Sequence, residues 1–123
     1  MLKQELGVLI LRVVLGLIFA IHGFAKFQNG IGETVGVFES NDLPGILAYG
    51  VAVLELVGGI LLIIGFATRV IAALFVLLMA GAILTVKLAS GFLNGYEFNL
   101  ALMAMALFLT MVESKLFAVE IVS

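Results

Sequence analysis

The sequence predicts an all-α integral membrane protein, a four-helix bundle with a short interfacial helix in its first loop. Three observations carry that prediction. Hydrophobic residues make up 64% of the 123-residue chain and charged residues only 11%, with a mean hydropathy of +1.35. A water-soluble domain of this size needs far more polar surface to cover its core. The apolar residues also fall into four runs that reach or approach the roughly 20 helical residues needed to cross a hydrocarbon core of about 30 Å. Finally, Arg12 and Glu55 stand inside those runs, where an ionised group costs roughly 2.5–3.5 kcal/mol on insertion scales and so faces the bundle interior.

The first span runs from about residue 6 to 24. Lys3 precedes it as in a secretory signal, but Arg12 interrupts the would-be apolar centre. The nearest cleavage-like triplet, Gly23-Phe24-Ala25, is a poor match, so the stretch reads as a retained helix. In the loop at 28–42, Ile31, Val35 and Phe38 recur at i, i+4 and i+7 while Glu33 and Glu39 fall elsewhere. That spacing predicts a short amphipathic helix, either a lid over a cavity or, more simply, a linker tucked against the headgroups.

The second span, 45–66, opens after Asn41-Asp42-Leu43-Pro44, with Pro44 suited to a first helical turn. The short connection Ala67-Thr68-Arg69 makes the second and third spans antiparallel neighbours, and the third runs over 70–88. Ser90-Gly91-Phe92-Leu93-Asn94-Gly95 then reads as a turn-rich loop. The last span, 98–112, is short, bounded by Glu97 and Glu113, and must begin inside the interface or thin the bilayer locally. Residues 1–123 read as one domain with no soluble appendage.

Small residues recur within the spans at Gly16, Gly23, Gly58-Gly59, Gly65 and Ala80-Gly81-Ala82, and are expected to be helix–helix contacts. Arg12-Val13-Val14 and Arg69-Val70-Ile71 open apolar runs alike, but the match is too short to establish a repeat. An even number of spans puts both termini on one side with Lys3, Arg69 and Lys115, against Lys26 and Lys87 on the other. That balance weakly favours cytoplasmic termini.

Composition also excludes. The net charge of −2 offers no basic footprint, so nucleic acid is not an expected partner. The chain has no Cys, which removes disulfides, thiolate catalysis, iron–sulfur clusters and cysteine-ligated zinc. One His cannot build a multi-histidine metal site, and no metal is expected. In any redox chemistry, the electrons would belong to a bound molecule or a partner.

Helical rise puts Arg12 about 9 Å and Glu55 about 16 Å in from the terminal side. Arg12 has a stem long enough to pair with Glu55, or it can snorkel to the near interface. The short Glu55 carboxylate has no such escape and must be paired or protonated. A second group, His22, Lys26, Lys87, Tyr96, Glu97 and Asn99, gathers from three helices near the opposite interface. Interface anchoring accounts for Tyr, Lys and Glu there, whereas His22 and Asn99 suit a binding role or a structural hydrogen bond equally well. Together these residues outline a cavity with a charged pair at its base and a polar rim. Such a pocket suits an amphipathic ligand with an apolar body and a polar ring, for example a quinone. A proton or solute path would use the same residues, and no catalytic residue is assigned.

Arg12-Val13-Val14-Leu15-Gly16 followed by His22-Gly23-Phe24-Ala25-Lys26 resembles the first helix of the DoxX family of small bacterial membrane proteins. Glu55-Leu56-Val57-Gly58-Gly59 with Gly65-Phe66-Ala67-Thr68-Arg69 resembles the second, and Gly95-Tyr96-Glu97-Phe98-Asn99 completes the pattern in order and spacing. The resemblance implies a four-helix protein of the bacterial inner membrane, of a kind often described as an oxidoreductase. Members of that family include a membrane subunit of a thiosulfate:quinone oxidoreductase and proteins linked to quinone or catechol stress. It marks Arg12, His22, Lys26, Glu55, Arg69, Glu97 and Asn99 as motif positions. The expected partners are the lipid bilayer, a quinone, a soluble or membrane redox subunit, and a second copy of the chain. No redox cofactor ligands stand in the chain itself. Two other readings use the same residues: a small-molecule transporter or export factor with Glu55 as its proton-coupled carboxylate, and an assembly subunit whose ion pair only orders the helices.

Overall fold

Among the described residues, three helical segments are long and apolar enough to cross a membrane: Leu2–Gln28, Ile46–Ile64 and Thr68–Ser90. A computed structural model describes residues 2–112 and is all-helical within them. Lys115, counted in the charge balance, and Glu113, read as the far boundary of the last span, lie outside the described residues. The helices are α1 (Leu2–Gln28), α2 (Ile31–Ser40), α3 (Ile46–Ile64), α4 (Thr68–Ala82) and α5 (Glu97–Met111). α5 is apolar but only 15 residues long.

α1, at 27 residues, spans about 40 Å at 1.5 Å per residue. It overruns the expected span at both ends, so Lys26 is still on the helix. α3 ends where the chain needs a left-handed residue: Gly65 has φ 76 and ψ 35. Its N–H donates to the Leu62 carbonyl at 3.1 Å, and that of Phe66 donates to Leu61 at 2.9 Å. These are the two bonds of a Schellman stop, and they return the chain immediately into α4.

α4 does not end at 82. It continues as a π-helical turn over Ile83–Lys87 and a 3₁₀ turn over Leu88–Ser90. The expected turn-rich loop is correspondingly reduced to Gly91, at φ 81 and ψ −177, because Phe92–Tyr96 is again π-helical and runs into α5. The Tyr96 N–H reaches back to the Gly91 carbonyl at 3.0 Å. The Phe92 and Tyr96 rings meet edge to face at 5.4 Å, a favoured aromatic geometry that a five-residue turn provides and a loop need not.

Glycine decides how α1 and α3 pack. A Cβ on Gly16 would stand 2.6 Å from the Gly59 carbonyl oxygen, one on Gly59 2.5 Å from the Ala20 nitrogen, and one on Gly23 2.4 Å from the Leu56 nitrogen. The helices therefore touch backbone to backbone and run antiparallel, with Gly16 beside Gly59 and Gly23 beside Ala52 and Leu56. Such close approach gives van der Waals packing where lipid supplies no hydrophobic drive. Gly58 faces the other way, against the Phe75 ring of α4. Gly81 departs from the small-residue expectation: a Cβ there meets nothing within 4 Å.

The core joins two helix pairs, α1 with α3 and α4 with α5. Leu15, Phe19 and Leu62 meet Ile71, Phe75, Met79, Leu102 and Leu109. At its centre the Phe19 and Phe75 rings stack with centroids 3.8 Å apart and planes 12° from parallel. Outside it, Ile10, Leu17, Val53, Leu77 and Leu84 are exposed. A helical surface this apolar is suited to lipid, where every backbone polar group is already satisfied within the helix. α2 buries no residue fully; it packs on α3 and α1, with Val35 and Glu39 against Gly45.

Candidate functional site

The Cα–Cβ bond of a helical residue leans toward that helix's N-terminus. α1 and α3 are antiparallel, so their side chains lean in opposite directions along the bundle. Lys26, near the end of α1, leans back into the interior, and Glu55, midway along α3, leans toward it. They form an ion pair in which Glu55 is 7% exposed and Lys26 25% exposed. Arg12 leans away from Glu55, and the same rule accounts for its position. It is wholly buried and donates from Nη2 to the Ile63 carbonyl at 3.5 Å, about 12 Å farther along α3 than Glu55 by helical rise. The ion pair on Glu55 is thus made by Lys26, which sequence reading had put in the rim, and Arg12 instead serves the last turn of α3. Arg69 does the same for α5, its Nε donating to the Val112 carbonyl at 3.4 Å. Guanidinium groups at helix C-termini satisfy carbonyls that have no intrahelical donor and complement the helix dipole.

Phe19 also forms part of the wall of a cavity of about 580 Å³ with mostly apolar walls. That volume is within the usual range for a small-molecule site. All five helices contribute to it. Phe19, His22 and Lys26 come from α1, Val51 and Glu55 from α3, and Met79 and Gly81 from α4. Thr85 and Lys87 come from the π-helical turn, and Phe98, Asn99 and Leu102 from α5. Of the residues expected at the site, His22, Lys26, Glu55, Lys87 and Asn99 are brought together here. Arg12, Tyr96 and Glu97 are not among the lining residues; Tyr96 belongs to the turn before α5 and Glu97 opens that helix.

His22 and Asn99 both line this cavity, from α1 and α5. The imidazole lies against the Phe98 ring, centroids 5.6 Å apart and tilted by 40°, and Asn99 is the next residue in the chain. The Asn99 amide nitrogen approaches the Met79 sulfur at 3.5 Å, a weak acceptor, leaving most of the amide's capacity for hydrogen bonding unused. Thr85 Oγ1 donates to the Gly81 carbonyl at 2.6 Å, so its hydrogen is turned to the backbone and away from the cavity.

The polar lining residues that sequence reading missed are Glu33 and Thr34 of α2 and Thr85 of the π-helical turn. Glu33, Thr34, Val37 and Phe38 line the cavity, so α2 forms one of its walls. Only Phe38 belonged to the expected apolar stripe. A helix of only ten residues leaves its rotation to the tertiary contacts, among them that of Val35 and Glu39 with Gly45. The available signal was Gly45 itself, the small residue against which α2 packs.

Comparison with known proteins identifies the family of the chain. The family model for DoxX matches residues 7–88, a stretch that contains Arg12, His22, Lys26, Glu55, Arg69 and Lys87. The chain is also 42% identical over 116 residues to a Bacillus subtilis (strain 168) protein named "Putative oxidoreductase CatD", covering 94% of this chain and 86% of that relative. No solved structure matches it significantly. A match over more than half of the chain, together with a relative this similar along nearly all of it, establishes that this protein is a member of the DoxX family.

Proposed function

We propose that the chain is a multi-pass protein of the bacterial inner membrane that binds a quinone or a similar amphipathic molecule in the five-helix cavity. In this reading it serves as the membrane subunit of a redox complex. The observation that carries the proposal is the cavity's composition: mostly apolar walls holding His22, Asn99, Lys87 and the Lys26–Glu55 pair. An apolar body would occupy the walls, while ring oxygens would accept from the imidazole, amide or ammonium groups. The name of the Bacillus relative supports redox chemistry as its context. Electrons would come from a soluble or membrane partner subunit, because the chain's own side chains offer no redox centre.

The same reading takes α1, α3, α4 and α5 as four membrane spans and α2 as an interfacial helix. α5 alone covers about 22 Å, less than a hydrocarbon core, but the helical turn Phe92–Tyr96 before it adds length and local thinning supplies the rest. With four spans both termini fall on one side, and the balance of Lys3, Arg69 and Lys115 there against Lys26 and Lys87 opposite weakly favours the cytoplasm.

Mass spectrometry of small molecules retained by mildly solubilised protein tests the proposal. Wild type should hold a quinone near one-to-one, and Gly81→Leu, which adds bulk at the cavity wall, should lose it at matched fold quality. A wild-type sample with no enriched ligand contradicts it. One observation favours a second reading as a proton-coupled carrier or export factor: the ion pair lines the cavity, where protonation of Glu55 would release Lys26. Under that reading Glu55→Gln abolishes pH-gradient-driven flux in liposomes, and normal flux would rule the carrier out.

A further inference from the structure

Four ionisable side chains other than His22 line the cavity, and their charges cancel. Lys26 and Lys87 face it, and so do Glu33 and Glu55. One of each sign is already bound to the other, with Glu55 only 7% exposed. A carboxylate or phosphate seated beside His22 would lie one turn from Lys26 on α1, draw it away and leave Glu55 buried without its partner. A cationic ligand would do the reverse. Removing one member of a buried pair is strongly unfavourable. Next to that pair, His22 and Asn99 have hydrogen-bonding capacity to spare. Among the described residues, His22 has only the Phe98 ring contact, and Asn99 only the thioether of Met79. They come from α1 and α5 and flank Phe98, an aromatic surface facing the same space.

From this we infer that the cavity selects a neutral, planar, oxygen-bearing ring. His22 and Asn99 hydrogen-bond its oxygens beside Phe98, and the Lys26–Glu55 pair excludes charged head groups. The inference rests on the proposed cavity-binding reading and narrows it to a head-group class with two named contacts.

The test uses the full chain in nanodiscs with a tritiated decyl-substituted benzoquinone as probe. Competitors of equal chain length are neutral (a decyl-benzoquinone), anionic (a decyl-benzoate) and cationic (a decyl-pyridinium). The neutral competitor should displace the probe at least tenfold better than either charged one. His22→Ala and Asn99→Ala should each weaken probe binding roughly five- to tenfold, the loss expected for one hydrogen bond, with unchanged unfolding midpoints. Gly81→Leu, whose side chain grows into open space on the cavity wall, should abolish binding. Equal displacement by a charged competitor overturns the selectivity, as does unaltered affinity in both the His22 and Asn99 variants, and either leaves the cavity reading standing. Absence of saturable probe binding, or binding untouched by Gly81→Leu, overturns the cavity reading itself.

Discussion

Lys26 of α1 and Glu55 of α3 form an ion pair inside the bundle, while Arg12, on the same helix as Lys26, donates to the Ile63 carbonyl at the far end of α3. Both contacts follow from helix direction: side chains lean toward their own N-terminus, so in an antiparallel pair residues converge at one level and diverge at another. The pairing has a measurable signature. Lys26→Ala should destabilise the protein by about 3 kcal/mol, the lower end for breaking a buried pair, since Lys26 keeps some exposure. Glu55→Ala added to it should cost little more. Arg12→Ala and Glu55→Ala should instead add to within about 0.5 kcal/mol, as separated sites do. Double-mutant cycles by reversible unfolding in mixed micelles measure both.

Arg12 itself carries a separate prediction. It heads the largest wholly buried side chains, and its removal opens a void and takes a donor from Ile63. Arg12→Ala should cost about 3 kcal/mol or more. Arg12→Lys should recover only part of this, because an ammonium lacks the planar fork of the guanidinium. Unfolding midpoints of the two variants check the order.

The glycines divide by what surrounds them. Gly23→Ala forces a methyl against the Leu56 backbone, which cannot yield as a side chain can, and should destabilise by about 1–3 kcal/mol. Gly81→Ala meets open space and should be neutral or stabilising by up to about 1 kcal/mol, the helix-propensity gain. Two glycines alike in sequence context should thus differ in sign. Equal effects would contradict the backbone contact between α1 and α3.

Much of this architecture is legible in the sequence, and the failures have physical causes. The long apolar runs give the bounds of α1, α3, α4 with its continuation, and α5 to within a few residues, because a long apolar run closes as a helix. Asn41-Asp42-Leu43-Pro44 locates the start of α3 through local chemistry, whereas Gly65, read as a packing contact inside a span ending at 66, in fact closes the helix in a left-handed conformation. The site is only half legible. His22, Lys26, Glu55, Lys87 and Asn99 stand out as polar groups in apolar surroundings and do converge on the cavity. The partner of Glu55 was misread because depth along the bundle was counted from Cα positions and the lean of the side chains was left out. Glu33 and Thr34 were missed because nothing local fixes the rotation of α2. The helical turn at Phe92–Tyr96 was hidden by Gly91 and Gly95, which read as loop residues until the ring contact of Phe92 with Tyr96 is seen.

Photolabelling tests the central claim, that the five-helix cavity holds the ligand, more directly than any other measurement. An azido-benzoquinone with a short alkyl tail, activated on the protein in nanodiscs, should label peptides containing Val51, Val86 or Phe98, which line the cavity. Excess unlabelled decyl-benzoquinone should suppress that labelling, and Gly81→Leu should remove it. Labelling confined to outward-facing residues such as Ile10, Leu17 and Val53, and unaffected by Gly81→Leu, would mean that the quinone only partitions into lipid around the protein and would contradict the account.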